Sequence, residues 1–541
     1  MIMNFLCFDT EDDSKELMQA GKSGFLKRVT QIAAITAEGK KYYNKGNIPD
    51  FIKWLQRQPE QFIYAHNLQY DIGNIFAGCI DCLDITLVGG RLIKAVWGNK
   101  VFLDSFNIWP MSAKKLGEAF GLKKLETESM ATDKEYVFRD VEIIRQAMLF
   151  VWSMCASMEI KNCPPTLGGL AVKLWKAWGG ENYHDSTKIS REALYGGRVE
   201  LFKVQNDSNN IAWTDINSLY PYVMLGDFPG LCEPCDKLPD YGVADVTISQ
   251  PETDIATLPY RDTEGRILYP WGKFRGTWTI PEIRQAEQFG AKIEKLHQAY
   301  GTTESIRPYG EYVTRLYKAR LASNSPAEKL FFKLLMNNLY GRLGTTGNIN
   351  RSVYQTPDNK DKGTPYGKKV LVNYLMPLSQ ETNWLHAAYV TAYGRLELLK
   401  YLRLVGTEQM IYCDTDSVIF DCPIMPDMQT GALPFTIGTE LGQMKLEGME
   451  RLCLTYAPKM YKTESVAKAK GVPQRLAKQF IDSGKAQFDL PFKLRESIAF
   501  FDRQNSKQLS VWRSVTKYAR TSYDKKTLRN NRYFPCKITA E

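Results

Sequence analysis

The sequence predicts a multidomain fold of the α+β class. At 541 residues the chain is long enough for roughly three to four domains, each with its own core. Two apolar runs, Ile2–Phe8 and Ile211–Ile216, have the composition of buried strands, and each reaches an acidic residue at its end. The segments around Lys333 and after Asp140 repeat apolar residues at helical spacing instead. Acidic strand ends in a chain of mixed strands and helices indicate metal-dependent chemistry.

The segment Tyr412–Ser417 is the most informative in the chain. It reads Tyr-Cys-Asp-Thr-Asp-Ser and places Asp414 and Asp416 two positions apart between two apolar runs. Alternation along a strand sends both carboxylates to one side, where they repel each other unless a cation lies nearby. A lone Asp-x-Asp is usually a solvated acidic turn. With a partner carboxylate elsewhere, the segment predicts a β-hairpin whose tip holds a divalent metal.

The partner carboxylate is Asp215, near the end of the strand Ile211–Ile216. Asn217 and Ser218 follow, and both are good helix-capping residues, so the strand is expected to turn into a short helix. Free backbone N–H groups at such a turn suit a metal-bound triphosphate. Asp215 and Asp416 together predict nucleotidyl transfer with two Mg²⁺ ions.

A third segment supplies positive charge on a helix. Lys333, Asn337 and Tyr340 lie at i, i+4 and i+7, on one face. A lone lysine at helical spacing is usually a solvated residue. A lysine that shares its face with Asn and Tyr is better explained as a contact to phosphate and base pair.

These three segments, Asp-x-x-Ser-Leu-Tyr-Pro, Lys-x-x-x-Asn-x-x-Tyr-Gly and Tyr-x-Asp-Thr-Asp-Ser, resemble the three polymerase motifs of family B DNA polymerases, in the same order. The resemblance implies catalysis by Asp215, Asp414 and Asp416, with Asp215 and Asp416 holding two Mg²⁺ or Mn²⁺ ions and Asp414 supporting them. It also implies a set of residues that bind the incoming dNTP: Tyr220 as the gate against a ribose 2′-hydroxyl, Lys333, Asn337, Tyr340 and Arg320. Asn338 stands where the family usually has Ser.

The N-terminal third carries a second set of acids, Asp9, Glu11, Asp71 and Asp140. Taken singly each would pass as a surface charge. Their order and context resemble the exonuclease motifs of proofreading 3′→5′ exonucleases of the RNase H-like fold. The resemblance assigns the four acids to two metal ions and Tyr136 to orienting the attacking water.

The same resemblance implies contacts to the single-stranded 3′ end, by hydrogen bonding and base stacking, from His66, Asn67, Tyr70, Ser105 and Phe106. Asp12 stands where the phage enzymes usually have a hydroxyl residue. Either Lys123 or Lys124 is the basic residue of this site, and the spacing does not decide between them.

Further DNA contacts are expected from two other segments. Gly196, Gly197 and Arg198 resemble the Tyr-x-Gly-Gly connector between the two activities, with Leu194 in the place of its Tyr and Tyr195 as the alternative. Paired glycines allow φ > 0 or a close approach to phosphate. Downstream, the segment of Lys459 and Tyr461 resembles the Lys-x-Tyr motif that holds the primer end, and Lys470 adds a basic contact.

Two long stretches, about 229–305 and 348–376, do not belong to a minimal polymerase. Their positions resemble the two insertions of protein-primed family B enzymes of small phages and linear replicons, which bind a terminal protein and enclose DNA for processivity and strand displacement. The expected organisation is an RNase H-like exonuclease domain followed by a right-hand polymerase: exonuclease 1–155, connector and first palm segment 156–228, first insertion 229–305, fingers 306–347, second insertion 348–376, second palm segment 377–475 and thumb 476–541.

Composition supports a polyanionic partner, here template-primer DNA, because the net charge is +10 despite the acidic clusters. Two Cys-x-x-Cys pairs, at Cys79/Cys82 and Cys232/Cys235, fit zinc spacing but lie about 150 residues apart, so free thiols in a reducing cytosol are favoured. No signal peptide and no apolar run of membrane length is found. We expect a monomer in the host cytoplasm.

Three hypotheses follow. The first is a DNA-dependent DNA polymerase with 3′→5′ proofreading, primed by the hydroxyl of a terminal protein. The second keeps both activities but primes from RNA or DNA, or starts without a primer. The third is a nuclease with an inactive DNA-binding palm, which disagrees with intact Asp215, Lys333 and Asp416.

Overall fold

The structure is a computed structural model. It describes residues 4–12, 18–20, 24–76, 79–126, 132–160, 163–181, 183–206, 210–422, 433–491, 509–519 and 523–539. Parts of the predicted thumb, residues 492–508 and 520–522, therefore lie outside the described residues. No helix in the described ranges combines the length and the apolar character needed to cross a bilayer.

The N-terminal domain is a sheet with helices packed against it. Its central strand β1 pairs with β3 in antiparallel and with β5 in parallel register. The long helix expected after Tyr136 is α4, which begins at Lys134 under an Asp133 cap and packs on β1 and β3. The elements are β1 (Phe5–Asp12), β2 (Met18–Ala20), β3 (Gly24–Thr36), β4 (Lys41–Asn44), α1 (Ile48–Arg57), β5 (Phe62–Ala65), α2 (Leu68–Phe76), β6 (Asp84–Val88), β7 (Arg91–Trp97), β8 (Lys100–Asp104), α3 (Ala113–Ala119) and α4 (Lys134–Ser157), with 3-10 turns at Ile80–Cys82 and Ser105–Asn107.

The connector and the first palm segment follow. The predicted strand Ile211–Ile216 has the expected bounds and lies inside the palm sheet. The elements are α5 (Leu167–Ala177), α6 (Lys188–Glu192), β9 (Val199–Leu201), β10 (Gln205–Asn206), β11 (Ile211–Ile216) and α7 (Leu219–Val223).

The region expected as the first insertion forms its own antiparallel sheet, with strand order β13-β18-β14-β17, covered by helix α8. Buried residues such as Trp278 and Phe274 give it a separate core. The elements are β12 (Phe228–Pro229), β13 (Glu233–Cys235), β14 (Tyr241–Gln250), β15 (Tyr260–Arg261), β16 (Ile267–Leu268), β17 (Trp271–Thr279), α8 (Ile280–Gln288), β18 (Lys292–Thr302) and β19 (Ser305–Ile306).

The fingers region is a pair of packed helices, and the second insertion is a small sheet. Ser323 and Ser325 mark the turn between the two helices, and Ser325 caps the second one. The helices are α9 (Gly310–Ala322) and α10 (Pro326–Leu343), and the strands are β20 (Asn348–Tyr354), β21 (Gly363–Tyr366) and β22 (Lys369–Leu375).

The second palm segment completes the palm sheet, whose order is β25-β11-β24-β23-β9. Helix α11 packs behind it and is buried along most of its length. The elements are α11 (Trp384–Val405), β23 (Met410–Asp414), β24 (Ser417–Asp421), β25 (Met444–Glu450), β26 (Cys453–Ala457), β27 (Met460–Thr463) and β28 (Ala467–Ala469).

The C-terminal region differs from the predicted thumb. Helix α12 (Gln474–Ser483) is followed by β29 (Lys485–Pro491) and β30 (Leu509–Tyr518), which pair in antiparallel register. The strands β31 (Lys526–Arg529) and β32 (Arg532–Pro535) return to the palm, and β33 (Lys537–Thr539) pairs with β17 of the first insertion. The reason is burial: Tyr523 and Tyr533 complete an apolar cluster beneath the palm sheet.

One sheet joins three of the predicted regions. Strand β20 of the second insertion pairs with β6 at one end of the exonuclease sheet, and β30 pairs with β3 toward the other. Ser352 reinforces the first junction, because its hydroxyl donates to the carbonyl oxygen of Ile85. The second insertion and the thumb region are thus held by the exonuclease domain through backbone hydrogen bonds.

Candidate active sites

The palm sheet places Asp215 beside the hairpin tip. Asp215 on β11 pairs with Ser417 on β24, and the Ile216 N–H donates to the Asp416 carbonyl at 2.7 Å. The hairpin is as predicted, but the reason given for its geometry is wrong. Asp416 lies in the turn between β23 and β24, where Thr415 has φ 63°, so the turn and not strand alternation aims its carboxylate.

The expected capping of α7 is also wrong. Ser218 adopts φ 50° and its side chain does not cap the helix, while the Asn217 amide donates to the Gly438 carbonyl at 2.9 Å. The helix is only five residues long. A phosphate at this site therefore depends on side-chain cations more than on the helix end.

The two palm carboxylates repel each other. Burial, followed by the charge of Asp416, raises the pKa of Asp215 to about 7. Burial raises the pKa of Asp416, backbone hydrogen bonding lowers it, and the charge of Asp414 raises it again. The pKa of Asp416 is therefore above its ordinary value. Such groups gain most when a cation comes between them, so this donor set fits a hard divalent ion.

Asp414 has a different environment. Its carboxylate accepts hydrogen bonds from Tyr412 at 3.2 Å and Thr415 at 3.1 Å, and Lys459 Nζ lies 3.6 Å away. The two hairpin acids therefore differ in their hydrogen-bond and ion-pair partners.

A cleft of about 320 Å³ opens from Asp215 toward the fingers. Lys333 and Arg320, both expected to contact triphosphate, line this cleft from α10 and α9. Sequence reasoning missed further charged residues that line it: Lys329, Lys445 and Glu447. Lysine and arginine around a carboxylate floor form a cradle for a metal-bound polyphosphate.

Tyr220 and Tyr340 pack against each other. Their ring centroids lie 4.5 Å apart at 60°, which joins the expected gate residue to the fingers helix. Asn337 and Asn338 both donate side-chain hydrogen bonds to α10 carbonyls, at 2.8 and 2.7 Å. The departure at Asn338 is thus accommodated within the helix.

The exonuclease acids form a second, separate cluster. Ligand oxygens of Asp9, Glu11 and Asp140 lie within 4.8 Å of one another. Burial and the neighbouring carboxylates raise the pKa of Glu11 to about 8 and that of Asp9 well above its ordinary value. A buried Asp140 Oδ1 without a hydrogen-bond partner adds to the fit for a bound cation.

Asp71 lies next to this cluster and is held by a residue that sequence reasoning missed. Thr10 donates to Asp71 Oδ1 from its backbone N–H at 3.1 Å and from its hydroxyl at 2.7 Å. Asn74 in turn donates to the Thr10 hydroxyl at 2.9 Å. The sequence signal for Thr10 was its position between Asp9 and Glu11. Because side chains alternate along a strand, Thr10 faces the side opposite to the two acids.

The basic residue of this site is Lys124. Its Nζ lies 2.5 Å from Asp140 Oδ2 and 4.8 Å from the Tyr136 ring centroid. The structure thereby decides the alternative left open between Lys123 and Lys124, and places Tyr136 beside the acids.

The residues expected to hold the single-stranded end surround one loop. Asn67 is exposed and has φ 67°, while Tyr70 and Phe106 are half-buried. The ring nitrogens of His66 form hydrogen bonds with the Met111 carbonyl oxygen and the Ser105 hydroxyl. A direct DNA contact from Ser105 is wrong, because it is fully buried and its hydroxyl donates to Ala65.

Two acids organise this loop. Asp104, which sequence reasoning missed, accepts the backbone N–H groups of Asn67 and Phe106, each at 2.9 Å. Its place at the end of β8, before a turn, was the signal. Asp12, which stands where the phage enzymes usually have a hydroxyl residue, accepts a hydrogen bond from Tyr70. It thereby orients Tyr70, which is expected to stack on a base.

Neither connector glycine has φ > 0, and only Gly197 makes a close approach. A Cβ on Gly197 would lie 2.6 Å from Thr415 Oγ1, whereas Gly196 has open space. The expected DNA contact of Arg198 is wrong, since its side chain is 1% exposed and ion-paired with Glu200. The connector packs against the catalytic hairpin.

The downstream contacts divide in the same way. Lys459 and Lys470 are exposed and available to DNA. Tyr461 is 5% exposed and packs on Tyr412 and Trp213, so little of it is open to DNA.

The Cys-x-x-Cys pairs do not combine. Cys79 and Cys82 lie in the exonuclease domain, Cys232 and Cys235 lie in the first insertion, and all four are free thiols.

Comparisons with known proteins bear on the family and on the fold. The family model of type B DNA polymerases, organellar and viral, matches residues 123–374. The expected resemblance to family B DNA polymerases is confirmed. The DNA-directed DNA polymerase of Enterobacteria phage PRD1 is 24% identical over 416 residues, which cover 70% of this chain and 71% of that protein.

Two fungal relatives are larger. Probable DNA polymerases of Ascobolus immersus and Podospora anserina are 30% and 27% identical over 301 and 345 residues. These regions cover 50% and 52% of this chain but 24% and 28% of the relatives, so the chain spans about a quarter of their length.

The fold has a close counterpart among solved structures. Phi29 DNA polymerase complexed with primer-template DNA superposes with a TM-score of 0.71 at 16% identity, over 95% of this chain and all of that chain. Its complex with incoming nucleotide substrates gives 0.70. The expected multidomain α+β fold is confirmed.

Proposed function

We propose that this chain is a DNA-dependent DNA polymerase with a 3′→5′ proofreading exonuclease. The observation that carries the proposal is the presence of two separate carboxylate sites in one chain, one at Asp215 and Asp416 and the other at Asp9, Glu11 and Asp140. Similar proteins support the substrates: phi29 polymerase structures contain primer-template DNA, incoming nucleotides and single-stranded DNA.

In the palm, Asp215 and Asp416 would hold Mg²⁺ or Mn²⁺. When bound there, such ions would supply activation of an attacking hydroxyl and neutralisation of the charge on the leaving pyrophosphate. Lys333 and Arg320 bind the triphosphate from the fingers side, and Tyr220 closes the space beside the sugar, so the site selects dNTPs. Lys459 holds Asp414 and faces the primer end.

In the exonuclease domain, Asp9, Glu11, Asp71 and Asp140 would hold the metal ions that activate water. Thr10 fixes Asp71, and Lys124 compensates the charge of Asp140 next to the scissile phosphate.

We further propose protein-primed, strand-displacing replication of a phage or linear mobile genome in the host cytoplasm, by a monomer. The support is the second insertion, which extends the exonuclease sheet as a separate three-stranded unit. An element anchored at one side of the molecule in this way is suited to enclosing DNA.

Two variants test the catalytic assignment. Asp416→Asn is expected to abolish dNTP incorporation and to leave degradation of single strands intact, because the two clusters are separate. Asp9→Ala with Glu11→Ala should do the reverse. Normal primer extension by the first variant, or loss of both activities in the second, would contradict the assignment.

Priming is tested with single-stranded template and dNTPs, with and without a candidate terminal protein. A protein–dNMP adduct supports protein priming, whereas extension only from RNA or DNA primers refutes it. Deleting residues 357–367 should shorten products on a gapped circle at an unchanged single-nucleotide rate, and unchanged product length would refute the enclosing role.

A further inference from the structure

Beneath the catalytic hairpin lies a buried ion cluster formed by Arg198, Glu200 and Lys526. The three residues are 1%, 2% and 6% exposed. Arg198 Nη2 lies 2.5 Å from one carboxylate oxygen of Glu200, and Lys526 Nζ lies 2.9 Å from the other. Two cations thus share one buried carboxylate.

Each of the two cations also lies over an aromatic ring. The Arg198 guanidinium lies 4.1 Å from the Tyr269 ring centroid and donates to the Ala256 carbonyl at 2.8 Å. The Lys526 ammonium lies 3.6 Å from the Phe202 ring centroid. These contacts partly replace the water that each charge lost on burial.

The cluster is connected to the catalytic turn through the backbone. On the edge strand β9, Glu200 lies opposite Cys413, and the Arg198 carbonyl accepts the Thr415 N–H at 2.7 Å. Thr415 stands between the two hairpin acids. A shift of β9 therefore moves the turn that carries Asp416.

The third member comes from far along the chain. Lys526 begins β31, and the hairpin of β31 and β32 attaches to the segment after β9, where the Tyr533 N–H donates to the Phe202 carbonyl at 2.9 Å. The C-terminal hairpin therefore packs beneath the palm sheet, where Tyr533 joins an apolar cluster with Leu201 of β9.

We propose that Lys526 is a positioning residue for polymerisation, through which the C-terminal hairpin fixes the catalytic turn. The inference rests on the proposed polymerase function. Lys526 neutralises the charge on one carboxylate oxygen of Glu200, and this ion pair keeps β9 in its register. The register of β9 fixes the position of Thr415 and, with it, of Asp416. Asp416 is thereby held at the distance from Asp215 that a shared metal requires. Purely structural roles would affect both activities of the chain equally.

The test is Lys526→Met in the full-length chain, with Lys525→Met as the matched control, because Lys525 is the half-buried neighbour on the same segment and the charge of Asp524 acts on it more strongly than that of Glu200. We expect Lys526→Met to lower the single-turnover rate of dNTP incorporation by about tenfold or more, with the apparent dNTP affinity and single-strand degradation close to the control. The Mg²⁺ concentration needed for half-maximal incorporation should rise.

Hydrogen exchange supplies a readout that needs no polymerase activity. The peptide that covers Tyr412–Ser417 should exchange faster in Lys526→Met than in Lys525→Met, because the Thr415 amide loses its fixed acceptor. A wild-type chain that extends no primer would contradict the proposed function, while this exchange difference would still support the coupling.

A charge cycle tests the mechanism. Glu200→Gln leaves Arg198 and Lys526 facing each other without an anion, so it should be more harmful than Lys526→Met. Adding Lys526→Met to Glu200→Gln should then restore part of the activity. Equal rates in Lys526→Met and Lys525→Met, or equal loss of both activities with a lower melting temperature, would overturn the proposal.

Discussion

The tight contact between Gly197 and the catalytic turn yields a sharp prediction. In Gly197→Ala, the new Cβ would lie 2.6 Å from Thr415 Oγ1 and 2.8 Å from its Cγ2. Ordinary carbon contacts are about 3.5–4.0 Å, so the two segments must separate by roughly 1 Å. Thr415 has little freedom to yield, since its N–H donates to the Arg198 carbonyl and its hydroxyl to Asp414.

The magnitude follows from this displacement. Overpacking of this kind costs about 1–3 kcal/mol, and a shift of about 1 Å at reacting groups lowers a rate by on the order of a hundredfold. We therefore expect Gly197→Ala to fold and to incorporate dNTPs on the order of a hundredfold more slowly. Degradation of single strands should stay near the wild-type rate, because Asp9 and Glu11 lie in another domain.

The assay is single-nucleotide incorporation on a primer-template at saturating dNTP, with degradation of a labelled single strand measured in parallel. Gly196→Ala is the matched control, because a Cβ there meets open space. Rates within about twofold for the two variants would refute the steric reasoning.

Three further predictions concern other parts of the chain. Burial raises the pKa of Asp215 to about 7, well above the ordinary value of an aspartate, so ionisation of Asp215 destabilises the metal-free fold as pH rises. In the presence of a chelator, Asp215→Asn should therefore have a higher melting temperature than the wild type at pH 8. This difference in melting temperature should shrink as the pH falls from 7 toward 4. A difference that grows on acidification would contradict the prediction. Lys124→Met should slow single-strand degradation on the order of a hundredfold with polymerisation unchanged, since Asp140 and the scissile phosphate lose their cation, and a normal degradation rate would remove Lys124 from the site. Ser352→Ala should loosen the junction with Ile85 and shorten products made in one binding event, which a trap of unlabelled DNA measures against the single-nucleotide rate.

The local order of the catalytic segments was predictable from sequence. Strand β11, helix α10, helix α4 and the 412–417 hairpin follow from short patterns whose periodicity and turn residues act within a few positions. Acid residues in these segments were assigned to two metal sites because the motifs resemble those of family B DNA polymerases and of proofreading exonucleases. Long-range partners could not be found in this way. The assignment of Arg198 to DNA failed because its anion, Glu200, is local in sequence, whereas Ala256 and Tyr269, which contact its guanidinium, are more than 50 residues away.

Sequence by itself therefore selected the residues that we propose carry the chemistry: Asp215, Asp416 and Lys333 in the palm, and Asp9, Glu11 and Asp140 in the N-terminal domain. Tertiary structure alone decided how they are held. Thr415 takes φ > 0 and packs on Gly197, the second insertion joins the exonuclease sheet, and the C-terminal hairpin seats a cation beneath the palm. The physical reason is the sequence distance over which each interaction acts. Side-chain periodicity and the hydrogen bonds of turns and helices involve residues a few positions apart, whereas close approach and charge burial depend on which distant segments share a core.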